Sequence, residues 1–289
     1  MSNIEKSLFQ LERTPSNHII WKKGQKEKIV ELYINGTSIN QIGILFNGLH
    51  YNTIKKILVD NNVSLRTRAQ SHYKDNRIEN IFKEINTEEK AYWLGFLAAD
   101  GCVSGNYIKI TLQEQDKSHL EKFKKFLNAT SIKILEEIHQ NKYETNKYYT
   151  FSIGCKQMAE DLKRLGIEER KTLTLKPPIN LIPEKYYLDW IRGYFDGDGG
   201  ISYSKKNNRW QSYANSTKEV LNWIVSILEL NTKPFNQKHY GKLDNVWRIH
   251  FNGRINIYKA WNKMYRNNTA TIYLDRKYKK YQLLCSSFN

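Results

Sequence analysis

With 289 residues, 40% of them hydrophobic and 26% charged, the chain exceeds one ordinary core of roughly 100–150 residues and has apolar content for two or three. No window approaches the roughly 18 consecutive apolar residues of a membrane span, the opening MSNIEKSLFQLERTPSN lacks the apolar stretch of a secretory signal, and Cys102, Cys155 and Cys285 form no C-x-x-C pair, so a membrane protein, an exported protein and a disulfide or zinc-knuckle scaffold are not expected. The net charge of +17, from 46 Lys and Arg against 29 Asp and Glu, points to a polyanionic partner, nucleic acid first.

Residues 1 to about 20 carry no pattern that assigns them. From about Gln25 to Asn61, three short apolar-periodic stretches predict a small helical bundle. Ile29, Val30, Leu32 and Tyr33 mark the first helix, and Asn35-Gly36 suits a left-handed cap at its end. Thr37 or Ser38 can cap a second helix with Ile39, Ile42 and Leu45; a turn at Gly48 follows, and Ile54, Ile57 and Leu58 mark a third. The order resembles a helix-turn-helix, whose last helix enters the major groove and would present Tyr51, Asn52, Thr53, Lys55 and Lys56 to DNA. The next stretch, Ser64-Leu65-Arg66-Thr67-Arg68, lacks an apolar period, so Arg66 and Arg68 read as a basic arm for phosphates or a minor groove.

From about Glu84 onward the chain repeats itself once. Trp93-Leu94-Gly95-Phe96-Leu97-Ala98-Ala99-Asp100-Gly101 recurs as Ile191-Arg192-Gly193-Tyr194-Phe195-Asp196-Gly197-Asp198-Gly199, an offset of 98 residues (198 minus 100). Behind the first copy lie β-prone runs at 107–113, 132–138 and 148–153 and amphipathic stretches at 118–127 and 157–165. The second copy is followed by the matching series at 210–214, 219–228, 235–240, 246–251 and 255–264. Two αββαββα units of an α+β fold are therefore expected, with the proline-bearing segment 177–184 between them. The boundaries so read are 1–62 for the helical domain, 63–84 for a basic linker, and 85–176 and 185–289 for the two units.

Gly95 with Ala99, and Gly193 with Gly197, lie four apart on one helical face and permit near backbone-to-backbone packing. Each helix then ends in Asp-Gly, which puts an acid at the already negative end of the helix dipole, with glycine suited to cap it. Two such ends side by side would gather two carboxylates and free carbonyl oxygens, a setting for a hard divalent cation. An EF-hand beginning at Asp196 fails, because its twelfth position is Asn207 and not glutamate.

The paired motifs resemble those of single-chain LAGLIDADG homing endonucleases over roughly 84–284. That resemblance implies a DNA-binding saddle of two pseudo-symmetric units with antiparallel sheets in the major groove. It further implies metal-assisted hydrolysis of one phosphodiester on each strand across the minor groove. By motif position, Asp100 and Asp198 would hold Mg²⁺, with Mn²⁺ able to substitute, and the carbonyls of Ala99 and Gly197 would assist. Lys171 and Lys277, in the repeated Glu169-Arg170-Lys171 and Asp275-Arg276-Lys277, resemble the family's active-site lysines. The first motif departs from the pattern at Ala98, where the second keeps Asp196, which points to a changed helix contact and not to lost chemistry.

Base readout from such sheets comes from alternating side chains. Tyr107, Lys109, Thr111 and Gln113 form one outward set; Arg209, Gln211 and Tyr213 form another, which Lys238, Arg248 and His250 extend. The expectation is a monomeric double-strand endonuclease acting on double-stranded DNA, with no membrane partner, in a bacterial or phage-infected cytoplasm or an organelle. Without a leading Cys or Ser and a closing His-Asn pair, an intein is not expected. Intron RNA, bound by a maturase, and a cleavage-inactive DNA-binding regulator are the alternatives.

Overall fold

A computed structural model describes residues 9–66, 77–140, 145–239 and 242–288, without the side chains of 237–239 and 242–245. The chain divides into two compact units, one ending at Arg77 and the other beginning at Ile78. The linker expected at 63–84 is thus shortened, because Ile81 and Phe82 are buried in the core of the larger unit.

In the smaller unit, β1 (Glu12–Arg13) pairs antiparallel with β2 (Ile19–Ile20), so the unit is not wholly helical as expected. Buried Gln25 ties this segment down, donating to the Gln10 carbonyl at 2.9 Å and accepting from the Lys22 amide at 3.0 Å. Three helices follow: α1 (Gln25–Ile34), α2 (Ile39–Leu45) and α3 (Tyr51–Asp60). Gly36, at φ 99°, turns the chain out of α1. Ser38 and Gln41 exchange hydrogen bonds in a capping box that starts α2. The apolar stripes meet in one small core of Ile29, Tyr33, Ile42, Phe46, Ile54 and Leu58.

The larger unit holds the duplicated half twice. The first copy runs α4 (Glu88–Asp100), β3 (Gly101–Ser104), β4 (Tyr107–Gln113), α5 (Lys117–Phe126), β5 (Leu135–Gln140), β6 (Thr145–Gly154) and α6 (Lys156–Arg164). The second runs α7 (Tyr187–Asp198), β7 (Gly199–Ser204), β8 (Arg209–Ser216), α8 (Lys218–Leu228), β9 (Phe235–His239), β10 (Lys242–Asn252) and α9 (Arg254–Met264), with a further helix, α10 (Asp275–Ser286). Both four-stranded sheets are antiparallel with the same strand order, β3-β4-β6-β5 and β7-β8-β10-β9. Alternation sorts the faces: Ile108, Ile110 and Leu112 are buried while Tyr107, Lys109 and Gln113 face out. Trp210, Ser212 and Ala214 are likewise buried while Arg209, Gln211 and Tyr213 face out.

α4 and α7 pack at the centre of this unit, and glycine sets how near they come. A Cβ on Gly95 would lie 1.9 Å from the Trp190 carbonyl oxygen, and one on Gly193 would lie 2.0 Å from that of Tyr92. No other side chain fits at either position. Among the described residues, no helix is long and apolar enough to cross a membrane.

Candidate active site at the paired helix ends

Because the two helices touch at their small residues, they finish beside each other. A Cβ on Gly197 would lie 2.3 Å from the Ala99 Cβ and 3.2 Å from Asp100 Oδ2, so the Asp100 carboxylate rests against the residue preceding Asp198. The structure therefore brings Asp100, Asp198, Ala99 and Gly197 together. The glycines after the acids do not act as left-handed caps: Gly101 (φ −82°, ψ 153°) and Gly199 (φ −98°, ψ 175°) are extended and lead straight into β3 and β7. Their missing side chain matters sterically, since a Cβ would lie 2.6 Å from Leu97 Cδ2 or from Phe195 Cδ1 of the last helical turn.

Asp100 keeps an edge open to solvent. Its surroundings nevertheless desolvate it, and together with the neighbouring Asp198 charge they push its carboxyl from 3.8 up to about 7, against the pull of Lys277 and Lys171. Burial raises Asp198 too, opposed by Lys171 and by the Tyr194 hydroxyl. Both acids thus hold protons more tightly than ordinary carboxyls, as expected of negative groups crowded at two negative helix ends.

The two lysines are buried and turn to these ends. Lys171 Nζ donates to the Gly101 carbonyl and lies 3.5 Å from that of Ala99. Lys277 Nζ lies within 2.6–3.0 Å of the carbonyls of Phe195, Asp196, Gly197 and Gly199. Burial lowers both ammonium groups, Lys277 to about 8. Each supplies positive charge where the last turn of a helix leaves its carbonyls unpaired.

A cavity of about 280 Å³ opens beside Asp198, lined by Ala98, Lys171, Tyr194, Asn215, Ser216 and Arg248 among others. Tyr194 donates to the Asn215 carbonyl at 2.8 Å and lies 3.3 Å from Asp198 Oδ2. Sequence reading missed Tyr194, although its place one turn before Asp198 puts the two on one helical face. It missed Asn215 as well, which the register sets opposite Arg248. Arg248, expected to extend the base-reading set, lines this cavity. At the sixth motif position, buried Asp196 accepts from Tyr92 of the opposite helix at 2.7 Å and from the Leu274 amide at 2.8 Å, whereas Ala98 offers no acceptor.

Away from this centre, Tyr107, Lys109, Gln113, Arg209, Gln211, Tyr213 and His250 are exposed on their strands, and Thr111 is half-buried against Thr150. Glu137, also unforeseen, lies 3.7 Å from Lys109 on the same outward face. Arg68 and the side chain of Lys238 lie outside the described residues. Tyr51, Asn52, Lys55 and Lys56 are exposed on α3, with Thr53 partly so. Arg66 corrects the expectation of a free arm. Its guanidinium turns back onto α1, donates to the carbonyls of Tyr33, Gly36 and Thr37, and sits 4.4 Å from the Tyr33 ring. The negative helix end claims the charge that sequence reading assigned to DNA.

A divalent metal fits these ends by the chemistry of the donor set. Among the described residues, no group of three or more His, Cys, Asp or Glu gathers as a closed cage. Two carboxylates with backbone oxygens suit a hard divalent cation that keeps open positions for water. The Gly197 carbonyl accepts from Lys277 at 3.0 Å and retains a second lone pair.

The LAGLIDADG-like domain family matches residues 87–173 and 185–264, and the chain belongs to it. An uncharacterized protein of Methanocaldococcus jannaschii is 30% identical over 188 residues, 61% of this chain and 66% of that relative. The replication factor C small subunit of the same organism is 29% identical over 124 residues, 42% of this chain and 6% of that protein. The chain thus spans less than two thirds of these curated relatives. Among solved structures, the homing endonuclease I-WcaI bound to its DNA recognition sequence is 14% identical, with a TM-score of 0.48, over 75% of this chain and 96% of that one. Meganuclease I-SmaMI bound to uncleaveable DNA is 14% identical, with a TM-score of 0.40, over 68% and 88%.

Proposed function

We propose that the chain is a monomeric, site-specific endonuclease that hydrolyses one phosphodiester on each strand of double-stranded DNA across the minor groove. The observation that carries this reading is the pairing of Asp100 with Asp198 at adjoining helix ends, flanked by Lys171 and Lys277. Asp100 and Asp198 are the residues to hold Mg²⁺, or Mn²⁺ in its place, with the Ala99 and Gly197 carbonyls assisting. A cation held there would supply Lewis-acid charge to a phosphate oxygen and to the attacking water. Lys171 and Lys277 keep the helix ends in place and add positive potential near the phosphorus. Arg248, which lines the cavity, is the residue to take a phosphate oxygen. Tyr107, Lys109, Thr111 and Gln113 on one sheet and Arg209, Gln211, Tyr213 and His250 on the other meet base edges. The smaller unit adds a helix-turn-helix contact through Tyr51, Asn52, Thr53, Lys55 and Lys56.

Purified protein with Mg²⁺ is expected to cut the insertion-free version of its own locus, and Asp100→Asn or Asp198→Asn is expected to abolish cutting while leaving duplex binding within about twofold. Double-strand cutting retained by both variants would overturn the assignment.

A further inference from the structure

At the far end of the second sheet lies a cavity of about 1130 Å³, where β7 and the start of β8 meet the beginning of α9 and the last turns of α10. Lys205, Arg209, Arg254 and Lys280 line it, and among the described residues no Asp or Glu does. Cations share this wall with rings and aliphatic groups. Leu283 is 64% and Tyr203 43% exposed, and the Tyr203 ring sits 5.0 Å from that of Trp210. Two of these side chains are held in place: Tyr203 donates to Asn208 Oδ1 at 2.8 Å, and Arg254 donates to the Ser287 carbonyl at 2.6 Å while lying over the Phe288 ring at 4.5 Å. Gly253, at φ 89°, makes the turn from β10 that brings Arg254 to the first position of α9.

The duplicated half does not build this cavity by itself. In the first copy, Gly105 and Asn106 alone join β3 to β4, whereas four residues, 205–208, join β7 to β8. The segment after α6 holds only the short turn Lys171–Leu173 where the second copy has the twelve-residue α10. The wall therefore depends on an extended hairpin and an added helix that only the second half possesses.

We propose that this cavity is a binding site for single-stranded DNA. Four cations, with no Asp or Glu among the described lining residues, call for a polyanion, and an exposed ring among them calls for a flat apolar surface laid against it. A paired and stacked base cannot offer its face, and an acidic peptide has no need of the ring. An unstacked base on Tyr203, its phosphates on Lys205, Arg254 and Lys280, satisfies both parts of the wall. This site goes beyond the cleavage reading and stands without it, since a chain that cuts nothing would still hold the strand.

The test uses the full chain in chelator, without a divalent ion, and a fluorescein-labelled oligodeoxythymidylate followed by anisotropy. Lys205→Glu with Lys280→Glu is expected to weaken binding by about tenfold or more, and Tyr203→Ala by about fivefold. Lys125→Glu with Lys156→Glu, an equal charge change on the helical side of the first half, is expected to weaken it by less than about twofold. An oligonucleotide carrying 5-iododeoxyuridine is expected to crosslink at Tyr203 or Trp210. Equal loss in the two double variants, no effect of Tyr203→Ala, or crosslinks confined to the outward faces of the sheets would overturn the site. Displacement by poly-glutamate that ignores Tyr203→Ala would mark it instead as a surface for acidic peptides. Because no cutting is scored, loss of this site and loss of nuclease activity are read separately.

Discussion

The ends of α4 and α7 began as copies, yet they are braced differently. At the end of α7, four carbonyls surround Lys277 Nζ and the Tyr194 hydroxyl stands beside Asp198. At the end of α4, Lys171 reaches two carbonyls, and the position matching Tyr194 is Phe96, which has no hydroxyl to give Asp100. The difference separates holding a helix end from holding an acid. Both ends have a buried lysine, but only one acid has a hydrogen-bonding partner from its own helix, and the other is pushed up to about 7.

Removing what the ends share should have the largest effect. Gly95→Ala and Gly193→Ala each place a methyl about where a carbonyl oxygen of the other helix lies, so roughly 3 kcal/mol of stability is expected to go in urea unfolding. A loss below about 0.5 kcal/mol in both would show that the helices separate easily. Next comes the lysine pair. Lys277→Met strips the bond donor from the last turn of α7 and should cost about 2–4 kcal/mol, while Lys171→Met should cost less than half of that; equal costs would remove the asymmetry.

Asp100 gives the pH arm of the comparison. In the folded chain it keeps its proton up to about 7, against 3.8 ordinarily, so between those values the folded state binds more protons than the unfolded. Its contribution to stability therefore falls as pH rises from about 4 to about 7. Thermal melts without metal are expected to show Asp100→Asn gaining on the wild type across that window and levelling off above it. Added Mg²⁺ should reverse the order at pH 8, where the wild type alone has both carboxylates to offer. A flat difference across pH would show an ordinary, solvated carboxyl. The smallest effect is expected of Tyr194→Phe, about fivefold in cutting of one strand and little in the other, measured by strand-specific nicking of the target duplex.

Much of this was readable from spacing. The 98-residue offset located both helix ends, and alternation in 107–113 and 209–214 sorted outward from inward residues as the strands place them. What escaped was decided by distant contacts. β5 starts not at Ile132 but at Leu135, where pairing with Thr150 of β6 begins, and nearly all of its residues are exposed, so no alternation marks it. A glycine after a helix does not reveal whether it turns left-handed or runs on extended, and Gly101 and Gly199 run on. Arg66 has a stem long enough to reach either a phosphate or a carbonyl, and only the position of Tyr33 settles which.

The bond from Tyr92 to Asp196 joins one half of the duplication to the other. Two first halves joined together would set each Tyr92 against an alanine, and two second halves would bury each Asp196 opposite Trp190, which offers no hydroxyl. A doubled half would lose this cross-helix bond, leaving Tyr92 with His119 and Asp196 with the Leu274 amide. The bond between the two central helices thus needs both halves of the duplication, one supplying the hydroxyl and the other the carboxylate.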